Sequence, residues 1–166
     1  MFKINFKDLI INSLIILLIF LIDRVTKIYI LNVAEIENGV DIYVTTYLNL
    51  YLIWNKGIAF GLFSFDQSSI YNIISLLISI ICIIIIFLIS KNEGIKKYSL
   101  VSIFGGAISN LFDRYYYTAV PDFIDLHINN FHWFIFNVAD IFITIGVICL
   151  IYAEIFINKK VKKANE

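Results

Sequence analysis

Four long apolar stretches constrain this chain more than any other feature of its sequence. Each is close to the roughly 20 helical residues that cross a bilayer. They cover Leu9–Ile30, Ile70–Ser90, Tyr98–Tyr117 and Val138–Ile157. Of the 166 residues, 60% are apolar and 16% charged, whereas a soluble domain is usually just under half apolar. We therefore expect one membrane domain over residues 1–166, an all-α bundle of four transmembrane helices.

The basic residues predict how this bundle is oriented. Nine of the thirteen lysines and arginines precede the first stretch, separate the second from the third, or follow the fourth. The positive-inside rule makes those segments cytoplasmic, so both termini lie inside and residues 32–69 and 118–137 lie outside. The first stretch has no small-x-small cleavage site after it, so we interpret it as a retained span. The lysine-rich C-terminal tail is a solvated end suited to anionic membrane lipids.

The outer segments carry strand patterns. From Val40 to Trp54 the even positions are mostly apolar and the odd positions mostly polar or tyrosine. Such alternation is typical of a strand, so we predict a small extracytoplasmic β cradle over about residues 40–63. Phe131–Phe136 is a candidate for a further short strand. Pro121 marks where the third helix has given way to extended chain.

Ionisable residues at membrane depth are costly and are candidates for function. In this chain they gather at or near the outer ends of the first, third and fourth stretches. They are Asp23, Arg24, Lys27, Asp113, Arg114, Asp122 and Asp140. Packing of the four helices would bring them into one site near the outer interface.

Each of these residues also has a purely structural explanation. Asp23 and Lys27 are four apart with the acid first, which is the favourable order for a helical ion pair. Asp113 and Arg114 could form a local pair that extends to the surface. Asn137 could cap a helix, and an acid three residues later suits a capping box. Asp122 and Asp125 could be ordinary loop acids.

Taken together, these acids favour a carboxylate pair as a catalyst. Two carboxylates held close in a partly dry site share one proton. The ionised member can draw a proton from water while the protonated member polarises a peptide carbonyl. The residues alone leave open which of the outer aspartates form the pair.

Other chemistries have weaker support. A Ser109–Lys27 dyad is conceivable, but no sequence feature brings the two together. Cys82 and Cys149 lie in apolar runs, where they pack as small hydrophobic residues. His127 and His132 flank a short loop and are interpreted as interfacial polar side chains, so we expect no metal site. The sequence shows no basic face with interleaved aromatics, so we expect no nucleic-acid partner.

Five sequence blocks resemble the lipoprotein signal peptidases, or type II signal peptidases, along nearly the whole chain. They are Asp23-Arg-Val-Thr-Lys27, Asn55-Lys-Gly-Ile-Ala-Phe-Gly61, Gly105-Gly-Ala-Ile-Ser-Asn-Leu-Phe-Asp-Arg114, Val120-Pro-Asp-Phe-Ile124 and Phe136-Asn-Val-Ala-Asp140. The resemblance implies a bacterial inner (plasma) membrane aspartic endopeptidase. Such enzymes remove the signal peptide from diacylglyceryl-modified prolipoproteins, cutting before the lipidated cysteine.

The resemblance also implies roles for individual residues. The catalytic pair corresponds to Asp122 and Asp140. Other motif positions, implicated in shaping the site or holding substrate, are Asp23, Lys27, Asn55, Gly57, Asn110, Asp113, Arg114, Asn137 and Ala139. Within that set, Asn55 and Arg114 are expected to contact the substrate backbone, with Asp113 orienting Arg114. No cofactor is implied, globomycin-type peptides are expected to inhibit, and a monomer is expected.

The chain departs from the family pattern at three positions. Ser109 stands where the family often has glycine, Ile58 where it has a small residue, and Pro121 where an aliphatic residue is more usual. None of these changes removes a proton-transfer group, so they bear on substrate preference rather than on chemistry.

Two other functional classes compete with a peptidase. A small transporter or proton pathway could use the outer acids as relays, although they cluster at one face and no inverted repeat with broken helices is present. A structural membrane protein would use the same charges only as caps and ion pairs. Substitution of the aspartate pair would distinguish the three.

Overall fold

The computed structural model describes residues 6–57 and 68–157. Within these residues, a first α-helix is followed by two β-strands, two α-helices, two further β-strands and a last α-helix. The helices are α1 (Phe6–Glu37), α2 (Ser68–Lys91), α3 (Gly94–Tyr117) and α4 (Val138–Tyr152), the last extended by a π-helical turn over Ala153–Ile157. The strands are β1 (Asp41–Thr45), β2 (Leu48–Asn55), β3 (Val120–Ile128) and β4 (Phe131–Phe136).

In the part of the chain that the structure describes, three helical segments are long and apolar enough to cross a membrane, namely Phe6–Glu37, Tyr71–Lys91 and Val138–Phe156. The predicted third stretch is also a helix, α3, with 24 residues. Its composition is less apolar than that of the other three helices, and it is not among the segments that are long and apolar enough to cross a membrane. Its position explains why, because α3 contacts α1, α2 and α4. Glycines and polar side chains such as Ser99, Ser109 and Asp113 are buried along it. A fourth membrane crossing therefore stays a prediction.

Helix α1 runs beyond its predicted end at Ile30. It continues to Glu37 and ends where Asn38 takes a left-handed φ of 58° and Gly39 a φ of 154°. The amide of Gly39 then donates to the carbonyl of Ala34, which is a common way to close a helix C-terminus. The helix thus carries Ile30 and Val33 up to the sheet.

The predicted cradle is an antiparallel sheet with strand order β1-β2-β3-β4. The alternating run Val40–Trp54 is not one strand but two, since the chain turns between Thr45 and Leu48. The strand predicted at Phe131–Phe136 is confirmed as β4, and Pro121 lies in extended chain in β3. Residues 58–63 of the predicted cradle lie outside the described residues.

The sheet is joined to the helices by a small apolar core. Ile30, Val40 and Phe123 are its buried centre, and residues of β1, β2 and the start of α4 pack around them. This core fixes β3 against the C-terminal end of α1. It therefore sets the position of Asp122, which precedes Phe123 in the chain.

Candidate active site

Asp122 lies in β3 and is almost completely buried, with 2% of its surface exposed. Two side-chain amides hold its carboxylate. Nδ2 of Asn55, from β2, donates to Oδ2 at 2.9 Å, and Nδ2 of Asn137 donates to Oδ1 at 2.6 Å. One donor lies in the sheet and the other at the start of α4. The orientation of this carboxylate is therefore fixed by the packing of the sheet against α4.

Asp140 lies in the first turn of α4. It forms the predicted capping box with Asn137, since each side chain accepts a hydrogen bond from the other residue's backbone amide at 3.1 Å. Nδ2 of Asn110, from α3, donates to Oδ1 of Asp140 at 2.8 Å. The structural role predicted for Asp140 is confirmed, and it leaves the carboxylate facing the same polar site as Asp122.

Asn137 connects the two aspartates. Its backbone amide donates to Asp140 and its side-chain amide donates to Asp122. The side chain is fully buried, so one residue sets the relative position of both carboxylates.

Burial is the main reason that the pKa of Asp122 rises from its ordinary value of 3.8. The negative charge of Asp140 raises it further, and the pKa reaches about 7. The amide donors of Asn55 and Asn137 oppose the rise because they stabilise the ionised form. Near neutral pH, Asp122 is thus poised between its protonated and ionised states.

A second set of charges surrounds Lys27, which is fully buried between helices. Its ammonium lies 2.7 Å from Oδ2 of Asp23 and 2.7 Å from Oδ2 of Asp113, and it donates to Oδ1 of Asn110 at 2.8 Å. The predicted Asp23–Lys27 ion pair is confirmed. Through Asn110, the lysine is connected to Asp140.

Asp23 joins three helices. Oδ1 accepts the backbone amide of Ala139 at 2.9 Å, and Oδ2 accepts the hydroxyl of Ser109 at 2.6 Å. The first bond holds the start of α4, one residue before Asp140. The second explains why a Ser109–Lys27 dyad is disfavoured, because the hydroxyl donates to Asp23 and not to the lysine.

The expected pairing of Asp113 with Arg114 is wrong. Both residues are buried rather than extended to the surface. Asp113 pairs with Lys27 and, at 2.5 Å, with Arg24. Arg114 points to the other side of α3, where it donates to the carbonyl of Gly57. Successive residues on a helix do not face each other, so Asp113 orients Arg24 and Lys27 and not Arg114.

Asn55 and Gly57 form a tight turn at the end of β2. Oδ1 of Asn55 accepts the amide of Gly57 at 2.8 Å, while its Nδ2 holds Asp122. Arg114 fixes the same turn through the Gly57 carbonyl. The rest of that sequence block, including Ile58, lies outside the described residues.

Sequence reasoning placed Arg24 in the cluster and considered Ser109 beside Lys27, but it missed the partners of both and did not identify Tyr71. Arg24 pairs with Asp113, Ser109 holds Asp23, and the Tyr71 hydroxyl donates to the backbone carbonyl of Arg114 at 2.8 Å. The partners of Ser109 and Tyr71 lie 86 and 43 residues away in the chain. No local pattern could have found them, although a hydroxyl within an apolar helix is itself a signal that a partner exists.

A bundle of apolar helices whose polar side chains converge on two aspartates is organised as a membrane aspartic peptidase. The chain belongs to the signal peptidase II family. The family model described as signal peptidase (SPase) II matches residues 15–156.

Individual relatives and a solved structure agree with this family. The chain is 62% identical to the lipoprotein signal peptidase of Pelagibacter ubique (strain HTCC1062), over 99% of this chain and 98% of that protein. It is 43% identical to that of Francisella tularensis subsp. novicida (strain U112), over 87% and 91%. The fold is similar to a bacterial membrane enzyme solved by the in meso method, with a TM-score of 0.74 and 31% identity over 94% and 98% of the two chains. The predicted family is confirmed, and a transporter is not favoured.

Proposed function

We propose that this chain removes the signal peptide from diacylglyceryl-modified bacterial prolipoproteins, cutting before the lipidated cysteine, with Asp122 and Asp140 as its catalytic pair. The observation that carries the assignment of the pair is Asn137, whose two amide groups hold one carboxylate each. Family membership supports the reaction and the substrate class.

The two carboxylates divide the chemistry between them. The raised pKa of Asp122, about 7, suits it to hold the shared proton and to donate a hydrogen bond to the scissile carbonyl. Ionised Asp140 takes a proton from water as the water oxygen attacks the carbonyl carbon. The tetrahedral intermediate collapses when the C–N bond breaks and the leaving nitrogen receives a proton from the pair. Each carboxylate is already held by two donors, so little reorganisation is needed during the reaction.

Arg114 and Asn55 are the proposed contacts to the substrate backbone. Nε and Nη1 of Arg114 are buried without a hydrogen-bond partner among the described residues. Buried guanidinium donors are costly to leave unpaired, and peptide carbonyls of a bound substrate would satisfy them. Asn55 lies beside Asp122, where it can align the scissile bond.

The remaining family positions support the pair rather than touch the substrate. Lys27 and Asn110 orient Asp140 through successive hydrogen bonds. Asp23 and Asp113 compensate the charge of Lys27, and Ala139 connects Asp23 to the start of α4.

The proposed membrane arrangement has four crossings, cytoplasmic termini and the site near the outer face. Exposed leucines and isoleucines along α1, α2 and α4 suit contact with lipid. A substrate carrying acyl chains would reach the aspartates from within the bilayer, and water would reach them from outside. The proposed form is one domain acting as a monomer with membrane lipids, and globomycin-type peptides would inhibit it by occupying the pair.

Cleavage by the wild-type protein tests this function. The purified protein is reconstituted into lipid vesicles and given a prolipoprotein with or without the diacylglyceryl group, and the products are separated by gel shift. We expect cleavage of the modified form before its cysteine and little cleavage of the unmodified form. Ion or solute flux without any peptide cleavage would instead support a transporter and contradict the proposal.

A further inference from the structure

Strand geometry brings two histidines and an aspartate together on the sheet. Asp125 and His127 are two apart in β3, a spacing that places side chains on one face of a strand. His132, in β4, lies directly opposite His127 across the β3–β4 hairpin. The sequence signal was therefore present as Asp-x-His followed by a histidine across a tight turn, although we expected only interfacial polar side chains.

The three side chains are close enough to share one ion. Nδ1 of His132 lies 2.9 Å from Oδ2 of Asp125, and Nδ1 of His127 lies 3.9 Å from the same oxygen. One ligand atom from each residue lies within 4.8 Å of the other two. Ligand atoms around tetrahedral zinc, bound at about 2.0–2.1 Å, are about 3.3 Å apart. The two imidazole rings are stacked, with centroids 5.1 Å apart, so they would have to rotate to turn both Nδ1 atoms toward one ion, and water would supply the fourth ligand.

Charge and hydrogen bonding favour a cation at this position. Asp125 is buried, with 4% of its surface exposed, and a buried carboxylate needs a compensating partner. Nδ1 of His127 is buried and has no hydrogen-bond partner among the described residues. Oδ1 of Asn49 is likewise buried without a hydrogen-bond partner among the described residues. Asn49 is opposite Asp125 in the β2–β3 register. Asp125 has Nδ1 of His132 as its hydrogen-bond partner, and an ion bound among the three residues would add a positive charge beside the carboxylate and occupy the free imidazole nitrogen of His127.

The surroundings allow an ion to enter and then hold it. The His132 side chain is 55% exposed, so an ion can arrive from water. An apolar cavity lined in part by Tyr47, Phe131 and Trp133 adjoins His127. A hydrophobic shell of this kind limits competition from water around a metal site.

We propose that Asp125, His127 and His132 bind one divalent first-row transition-metal ion such as zinc, which clamps the β3–β4 hairpin. Two imidazoles and a carboxylate are a donor set that such ions prefer over magnesium or calcium. Strand β3 contains Asp122, and β4 leads directly into Asn137 and the start of α4 with Asp140. The ion would therefore stiffen the segment that joins the two aspartates.

Direct binding of zinc tests the site independently of peptide cleavage. The untagged full chain in detergent is stripped with a chelator and titrated with Zn²⁺ by calorimetry, and Co²⁺ is added separately to give a visible absorption signature. We expect one ion per chain, a rise in Tm with zinc, and slower hydrogen exchange in β3 and β4. His132→Gln should weaken binding at least about tenfold, since even the loss of outer contacts to metal ligands costs that much.

The matched control is Asp41→Asn, which removes an exposed carboxylate from β1 of the same sheet and should leave zinc affinity unchanged. His132 is half exposed, so its variant is expected to fold, and its Tm without metal verifies this. Absence of saturable zinc binding by the wild-type chain would overturn the proposal. Equal affinity in His132→Gln and wild type would overturn it as well.

Discussion

Helix α2 and the polar network where α1, α3 and α4 meet differ in what determines their side chains. Along α2, apolar side chains such as Ile83 and Phe87 are more than half exposed. Such an apolar surface is suited to contact with lipid. In the network, Asp23, Lys27 and Asp113 have no exposed surface, and each has a partner on another helix. Any apolar side chain would serve on the exposed surface of α2. In the network, each residue type and position is determined by the partner that it contacts.

Removal of Lys27 should give the largest loss of stability. In Lys27→Met, the carboxylates of Asp23 and Asp113 lose their shared cation while buried. Breaking a buried pair from one side typically costs about 3–5 kcal/mol, so we expect a loss of that size in thermal unfolding. The matched control is Lys97→Met, whose partner Asp8 is 41% exposed and whose loss should cost about 1 kcal/mol or less. If both variants lost the same unfolding free energy, the buried network would be no more important for stability than the Lys97–Asp8 surface pair, and the prediction would be contradicted.

The second largest effect should be a pH dependence of the free energy of unfolding that comes from the raised pKa of Asp122. A pKa raised in the folded state stabilises the fold at low pH, and this contribution is lost as pH rises from about 4 to about 7. Asp122→Asn lacks this titration. Between about pH 5 and about pH 8, the wild type should therefore lose roughly 3 kcal/mol relative to the variant. Parallel stability curves for the two proteins would show that the pKa of Asp122 is not raised.

Gly106→Ala should have an intermediate effect at the edge of the network. A Cβ at Gly106 would lie 2.5 Å from the backbone oxygen of Ala139, so α4 would have to shift beside Asp140. Overpacking of this kind costs about 1–3 kcal/mol, and cleavage should fall with it. Gly105→Ala is the control, because the atoms nearest its Cβ belong to the Ile19 side chain, the closest at 3.0 Å, and not to backbone, so it should be tolerated better. Thermal unfolding and cleavage rates of both variants check the order.

Ile83→Ala, in α2, should give the smallest effect. Ile83 is 67% exposed, and substitutions away from packed or paired groups usually change stability by less than about 0.5 kcal/mol. Cleavage and thermal unfolding in vesicles should both stay near wild type. A loss of more than about 2 kcal/mol would show that α2 has packing requirements as specific as those of the network.

The contrast between the two regions also explains what could be predicted from the sequence. Features set by local spacing were found, including the strand Phe131–Phe136, the capping box of Asn137 with Asp140, and the Asp23–Lys27 pair. Hydropathy located α2 to within two residues at either end, with Ile70–Ser90 predicted and Ser68–Lys91 observed. Contacts set by packing were not found, because Asp113 meets a lysine 86 residues away and no spacing rule covers that distance. Assignment of Asp122 and Asp140 as the pair depended on family motifs, and the structure adds Asn137 as the residue that joins them.

Cleavage by the two aspartate variants tests the central proposal most directly. Asp122→Asn and Asp140→Asn are purified, checked for retained folding by thermal unfolding, and compared with wild type and Asp41→Asn in a gel-shift assay on a diacylglyceryl prolipoprotein. Loss of one proton-transfer group should lower the rate by roughly 10²- to 10⁴-fold in each variant, while Asp41→Asn cleaves normally. Full cleavage by either folded dyad variant would contradict a shared catalytic role for Asp122 and Asp140.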